Sequence, residues 1–526
     1  MPNNTKFWRQ NLYWLAAISF IVRAFLASNL NLGNDEVYYR LYALFPDWSH
    51  FDHPLMVGLA IQFFSFDLLL DSELFLRMSS LVLGTVNLFI VFNIGKYLRN
   101  SRTGFYSALL YTASIYSFVI TGIFILPDTP QQFFWLLSLS VMIKILPACP
   151  NIKSNGIKMI WLGVLIGFGI ISKYTSVFLW LGAGFFILFF NRQWLSKKWL
   201  YLSILSTIII SLPIVIWNIQ NDFISFTFHG DRVDMAGYSF NIDYLLTELL
   251  GELLYNNPVN YILIIISVFL AFRRKLDIKK EHQQVILFAS LPLIFLFVGF
   301  SFFRSTLPHW TSPGVSCLIF LSAVWMDQIT PVKNNNIFGP WPIKIAVSLL
   351  AVILVLGFLQ VNYGIVKLDS NGNYYDLGSE DPSLDMIGYD KIGEEFAILV
   401  ENDRRNNIMK EGTFLAGQNW FPLANFDYYA ASPLGMKSFA FGSLNKIHKY
   451  AWINEISGGI KLGDDAYYIT DSREFHEPSE YFNDYFENIE IADTIQISRG
   501  GVIAKRAFIF RLKNLKRIPE SALNRN

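Results

Sequence analysis

"LYWLAAISFIVRAFLASNL" (residues 12–30) runs directly into "NLGNDEVYYRLYALFPDWSHFDHPLM" (residues 31–56). The first stretch is apolar and long enough to cross a bilayer as a helix, which takes ~20 residues. The second crowds Asp35, Glu36, Arg40, Asp47, His50, Asp52 and His53 among aromatic side chains just beyond it. Lys6 and Arg9 precede the apolar run, as basic residues do in a signal peptide. The run is longer than an ordinary signal-peptide core, however, and no A-x-A-like cleavage pattern follows it. It reads as a retained first span, and the polar crowd behind it as the feature to explain.

The rest of the chain continues in the same vein. Only 16% of its 526 residues are charged while 53% are hydrophobic, against roughly 25% charged in soluble domains. That balance describes a polytopic membrane protein. A formal net charge of +1 argues against a nucleic-acid partner, which wants a strong basic excess. Cys149 and Cys317 are too few for a disulfide framework or a thiolate metal cluster. Apolar runs fall near residues 12–30, 74–95, 104–124, 131–147, 157–171, 174–190, 199–217, 245–271, 284–302, 308–327 and 342–361. These give about eleven spans, the run at 157–171 being short and Gly-rich.

Charge sets the orientation. With the N-terminus in the cytoplasm, the inner loops are "KYLRNSR", "NIKSNGIK", "NRQWLSKK", "RRKLDIKK" and the loop of Lys333. They hold most of the basic residues of the membrane half, as the positive-inside rule requires. The outer side then holds the 31–56 stretch, "ILPDTPQQ", "SKYTS", "WNIQNDFISFTFHGDRVD" and "FFRSTLPHW". An odd number of spans places the tail from residue 362 on that same side. The tail is rich in Asp, Glu, Asn and Gly and has no spanning run. "DAYYIT" reads as a strand, "DTIQIS" and "AFIFRL" as a hairpin around "RGG", and residues 385–402 and 443–455 as helices. The expected domains are therefore a membrane domain, 1–361, with an outer first loop at 31–72, and a soluble α/β or α+β domain, 362–526.

Each outer polar group has a structural reading beside a functional one. Asn34 or Asp35 can cap a short helix, and Glu36 can pair with Arg40 at i,i+4. Asp128, flanked by Pro127 and Pro130, can cap the following span. Lys173 can snorkel to the headgroups. His229, Asp231 and Arg232 lie in the longest outer loop, and Arg304 and His309 at another outer mouth. Taken together they place acids, histidines and the outer cations at one end of the bundle. There is no G-x-S-x-G elbow and no P-loop, and His50 and His53 at i,i+3 are a weak match to a zinc pair. Carboxylates with several cations suit group transfer from a phosphate-linked donor. A carboxylate takes the proton of an acceptor hydroxyl, and cations stabilise the charge growing on the departing phosphate. A donor with a lipid tail explains why such chemistry sits in a membrane. The outer carboxylates are compatible with a divalent cation, yet no ligand spacing selects one.

The ordered series "NDEVYYR…FDHPLM…ILPDTP…SKYTS…WN…FHGDR…R…LPHW" resembles the bacterial dolichyl-phosphate-mannose-protein mannosyltransferase-like superfamily over roughly residues 10–330. It lies nearest the branch of aminoarabinose lipid A transferases (glycosyltransferase families 39 and 83). The resemblance implies a GT-C fold and an inverting glycosyltransferase of the bacterial inner membrane. Such an enzyme takes a sugar from a polyprenyl-phosphate donor to a lipid A-like or protein hydroxyl on the periplasmic side. Carried onto this chain, the family's acidic motif falls on Asp35 and Glu36, with Asp35 as base or acceptor-orienting carboxylate, and Asp128 as a second candidate. The acidic-basic-Pro element falls on Asp52, His53 and Pro54, where the aminoarabinose branch commonly has Glu-Lys-Pro. An ordinary imidazole is mostly neutral near pH 7, so His53 is a weaker phosphate ligand than a lysine. Lys173, His229, Arg232 and Arg304 complete the expected phosphate cradle, and Tyr39, Arg40, Asp52 and His309 the substrate pocket.

The competing reading is a transporter or flippase of a lipid-linked glycan. It predicts polar or broken helices at mid-membrane, where Arg23, Asn87 and Asn93 are the few polar groups, and the charges at the outer edge dominate instead. An assembly protein with a decayed site is the third.

Overall fold

The computed structural model describes residues 5–233, 239–331, 337, 339–368 and 373–523, without the side chains of 231–233. The chain packs as two compact units. One comprises Met1–Ala27 and Pro46–Leu354, the other Ser28–Phe45 and Val355–Asn526. The expected boundary at 361/362 is thus moved a few residues, and residues 28–45 of the expected outer loop belong with the C-terminal unit.

The first unit is helical. Each of the eleven apolar runs falls on helix. Among the described residues six helices are long and apolar enough to cross a membrane: Thr5–Ser28, Met78–Leu98, Lys198–Gln220, Lys280–Phe300, Pro308–Ile329 and Trp341–Tyr363. The run at 245–271 is not one continuous helix. Ile242–Tyr255 and Pro258–Phe272 meet at 103°, because Pro258 lacks the N–H a continuing helix needs. Asn257 before it takes a positive φ of 67°. The Gly-rich helix Lys153–Ile170 owes its composition to a close neighbour. A Cβ on Gly163 would sit 2.0 Å from the Ser203 carbonyl oxygen, and one on Gly156 2.4 Å from the Trp199 ring. Small residues let that helix lie directly against Lys198–Gln220, and the Thr207 hydroxyl donates to the Gly163 carbonyl at 2.7 Å.

At one end of this unit, residues 46–56 are pinned to the neighbouring helices. Trp217 Nε1 donates to Asp47 Oδ2 (2.8 Å), Ser225 Oγ to the His50 carbonyl (3.0 Å), and Met56 N to the Ile171 carbonyl (3.1 Å). At the other end, the Asn100 side chain caps the helix Ser101–Ala113 by accepting from the Arg102 and Thr103 amides.

The second unit is α/β. Five strands, β1 (Phe414–Gly417), β2 (Ser438–Ala440), β3 (Ala466–Asp471), β4 (Phe486–Arg499) and β5 (Val502–Leu515), form a mixed sheet in the order β2-β1-β3-β5-β4. β1 pairs in parallel with β2 and β3, and β5 runs antiparallel to β3 and β4. The expected strand and hairpin are there, turning at Gly500 and Gly501, both with positive φ. The expected helix at 385–402 forms as Tyr389–Arg405, whereas 443–455 splits into Leu444–Ile447 and Tyr450–Ile456. His448, at φ 50°, breaks the second. The helix Asn34–Leu44 packs here: Tyr38 meets the Trp420 ring at 4.9 Å, and Arg40 lies over Tyr428 at 4.9 Å. Tyr429 OH accepts from the Leu32 amide at 2.6 Å.

Candidate functional site

In the helical unit the strongest polar constellation is built on Asp128. Pro127 starts the helix Asp128–Ile145, so the carboxylate emerges at its first turn. Lys173 is carried in the turn between the helix Lys153–Ile170 and the turn Tyr174–Val177. Its Nζ donates to Asp128 Oδ2 at 2.7 Å, with side-chain exposures of 8% and 4% for Lys173 and Asp128. The Tyr116 hydroxyl, from a π-turn at Tyr116–Ile120, donates to the other oxygen at 3.2 Å. Lys173 is therefore not a snorkelling lysine. A buried ammonium has three donors, and the carboxylate takes one.

The histidines gather around this pair. His53 and His229 rings lie 6.1 Å apart, and His229 Nε2 donates to the Asp52 carbonyl at 2.6 Å. His229 also meets Tyr174 at 5.1 Å. Burial pushes the His53 imidazole down to about 3. The Asp52 carboxylate opposes that shift, the positive charge of Lys173 adds to it, and Asp128 lies within electrostatic reach as well. Burial thus disfavours a charged His53, and in this arrangement its imidazole is a hydrogen-bonding group. His309, in the turn Pro308–Thr311, sets its ring 5.8 Å from Tyr255. Arg304 is half-buried in the turn preceding it.

Arg232 falls in the helix Ile224–Val233, but its side chain lies outside the described residues, as does the loop of Lys333. Asp35, Glu36, Tyr39 and Arg40 belong to the other unit. There Glu36 Oε2 accepts from the Gly33 amide at 2.9 Å and closes the first turn of the helix Asn34–Leu44. Its local role is that of a cap, with Gly33, rather than Asn34 or Asp35, at the N-cap position. Tyr39 is buried against Tyr38 and Tyr42, and Asp35 is exposed on the first turn. Among the described residues no three His, Cys, Asp or Glu side chains are grouped to hold a metal.

Three residues were missed in the sequence. Tyr116 carried no signal, being one aromatic among many. Glu248 and Glu252 did: two acids at i,i+4 in "TELLGELLY" are anomalous inside an apolar run. Both are fully buried.

Residues 52–217 match the family model of dolichyl-phosphate-mannose-protein mannosyltransferase. That third of the chain contains Asp52, His53, Tyr116, Asp128 and Lys173. The crystal structure of ArnT from Cupriavidus metallidurans in the apo state aligns with 96% of this chain and 98% of its own, at TM-score 0.60 and 13% identity. The same protein bound to undecaprenyl phosphate aligns over 97% and 98%, again at 0.60 and 13%. A comparison with curated protein sequences finds no significant match. The fold is the ArnT-like GT-C fold implied by the sequence resemblance, a helical membrane domain with a C-terminal α/β unit.

Proposed function

We propose that this chain is an inverting glycosyltransferase using a polyprenyl-phosphate sugar, in which Lys173 receives the lipid phosphate. The observation that carries the reading is the buried Lys173–Asp128–Tyr116 constellation, which lies within the segment matching the mannosyltransferase family. The acceptor hydroxyl oxygen attacks the anomeric carbon, the bond from that carbon to the phosphate oxygen breaks, and polyprenyl phosphate leaves as an anion. Charge growing on the phosphate is met by an ammonium already desolvated and oriented, where a charge-assisted hydrogen bond is strong. Asp128, held by Lys173 and Tyr116, is a poor proton acceptor and acts as the positioning group for the lysine. The proton goes to a carboxylate, and the resemblance assigns that role to Asp35. His229, Arg232 and Arg304 remain candidates for additional contacts with the phosphate, and Asp52 and His309 for the substrate pocket.

Loop charges support a cytoplasmic N-terminus and a periplasmic site on the bacterial inner membrane. The acceptor is a lipid or protein hydroxyl. A flippase reading draws on one observation, the broken helix pair with its buried acids, and predicts translocation without glycosidic bond formation. The experiment is reconstitution of the full chain with envelope lipids, followed by mass spectrometry of glycolipids and glycoproteins. Asp35→Asn is expected to abolish sugar transfer with unchanged membrane insertion. Transfer near the wild-type rate in that variant removes Asp35 from the mechanism.

A further inference from the structure

The helix Ile242–Tyr255 is amphipathic in an unusual sense. Ile242, Leu246, Leu249, Leu250 and Leu254 are exposed, while Glu248 and Glu252 are fully buried. The acids face the protein and the apolar side chains face outward. Glu248 Oε2 accepts from the Thr306 hydroxyl at 2.7 Å, and Glu252 Oε2 from the Tyr261 hydroxyl at 2.6 Å. The second oxygen of each carboxylate is buried without a hydrogen bond of good geometry among the described residues, although the Thr311 hydroxyl lies close to Glu252. The neighbouring Thr311 hydroxyl is donated to the Pro308 carbonyl at 3.1 Å.

A second observation stands one turn further along the same face. Asn256 is 1% exposed, and its amide nitrogen donates to the Glu252 carbonyl (3.0 Å) and Ser312 Oγ (3.4 Å). Its Oδ1 is buried without a partner. Three acceptor oxygens thus recur at i, i+4 and i+8, successive positions ~6 Å apart by helix rise, and no ion pair reaches them among the described residues. Buried acceptors without donors are expensive. An unpaired carboxylate is more so, so this face wants a ligand rich in donors. It also adjoins the candidate site. A Cβ on Gly251 would sit 2.2 Å from Pro308, which holds the helix directly against the turn of His309, and the Tyr255 ring lies 5.8 Å from that of His309, tilted to it.

We propose that Glu248, Glu252 and Asn256 form the subsite that recognises the hydroxyl groups of the transferred sugar, with the Tyr255 and His309 rings beside it. The inference rests on the glycosyltransferase reading and adds to it the residues that separate a sugar-bearing carrier from the bare carrier. Acceptor oxygens spaced along a helix, next to aromatic faces, suit a polyhydroxylated ring better than a metal ion, for which the i to i+8 positions are too far apart.

The test compares binding of bare undecaprenyl phosphate with a panel of polyprenyl-phosphate-linked hexoses and pentoses to the full-length protein in lipid nanodiscs. The wild type is expected to bind at least one glycosylated carrier more tightly than the bare one. Glu248→Gln and Glu252→Gln keep the oxygen that Thr306 and Tyr261 address. They are expected to lose that preference by roughly ten- to a hundredfold while holding bare undecaprenyl phosphate as the wild type does. Unchanged preference in both variants would mean that the acids are protonated packing groups and overturns the proposal. So does a wild type that binds the bare carrier and prefers no sugar. Failure of the wild type to bind the bare carrier instead overturns the glycosyltransferase reading itself.

Discussion

Two aspartates at opposite ends of the helical unit are equally buried and differently used. Asp327, near the end of the helix Ser312–Ile329, is saturated. It takes Arg99 and Arg102, the Asn100 amide at 2.7 Å and the Thr103 hydroxyl at 2.9 Å. Arg102 donates further to the carbonyls of Asp327, Thr330 and Pro331. Every group there has its partner inside the protein, and the cluster ties the start of the helix Ser101–Ala113 to the end of Ser312–Ile329. Among the described residues the Asp128 side chain takes only Lys173 and Tyr116, which leaves ammonium donors for something else. The saturated carboxylate is a fastening; the sparsely paired one, with a lysine rather than arginines, has the makings of a binding site. Arginine forks pin two elements together, whereas a lysine offers a compact charge with rotatable donors.

Four substitutions test that contrast. The largest effect is expected from Lys173→Ala, a loss of transfer per folded molecule of about a hundredfold or more, beside a lowered Tm because Asp128 is left buried without its partner. A rate within a few-fold of wild type would make Lys173 another fastening. Asp327→Asn is the converse. Breaking a buried pair costs about 3–5 kcal/mol, read as a lowered midpoint in thermal or denaturant unfolding, with transfer per folded molecule retained. Loss of transfer at unchanged stability would erase the distinction between the two ends. Asp128→Asn keeps the shape but not the charge that orients Lys173. About tenfold is expected in KM for the lipid donor, against a smaller change in kcat; a pure kcat effect would instead restore Asp128 as a proton acceptor.

The effect of His53 is confined to acid pH and to stability. Its folded value near 3 lies below the ordinary 6.5, so between those values the unfolded chain binds a proton that the folded chain does not. Stability therefore falls as pH drops below about 6.5, by at most about 1.4 kcal/mol per pH unit. His53→Gln is expected to flatten part of the decline in Tm between pH 6.5 and 4.5, and to change nothing at pH 7.5. Identical slopes in the two proteins would show that His53 does not titrate in this way.

Much of this was legible because hydrophobic length and loop charge act locally. The eleven apolar runs, the Gly500–Gly501 hairpin and the chemistry suggested by Asp128 and Lys173 needed only residue types and spacing. The break at Asn257–Pro258 was written in the sequence but was hidden by the apolar residues on both sides. Glu248 and Glu252 were passed over for the same reason, since an apolar face turned outward looks like a span. Glu36 resembles a catalytic acid in its motif, and only the Gly33 amide shows that it closes a helix turn.

By itself, the sequence determined that the chain is a membrane protein, where its helices lie, and which polar residues crowd the loops between them. Apolar run length and loop charge are properties of neighbouring residues, so no folding is needed to see them. The tertiary structure decided which of those polar residues meet. It joined Asp128 to Lys173 across 45 positions, Asp327 to Arg102 across 225, and parted the 31–56 stretch at Phe45 and Pro46 between two units. Pairing over such separations depends on how helices pack, and packing is a property of the whole chain.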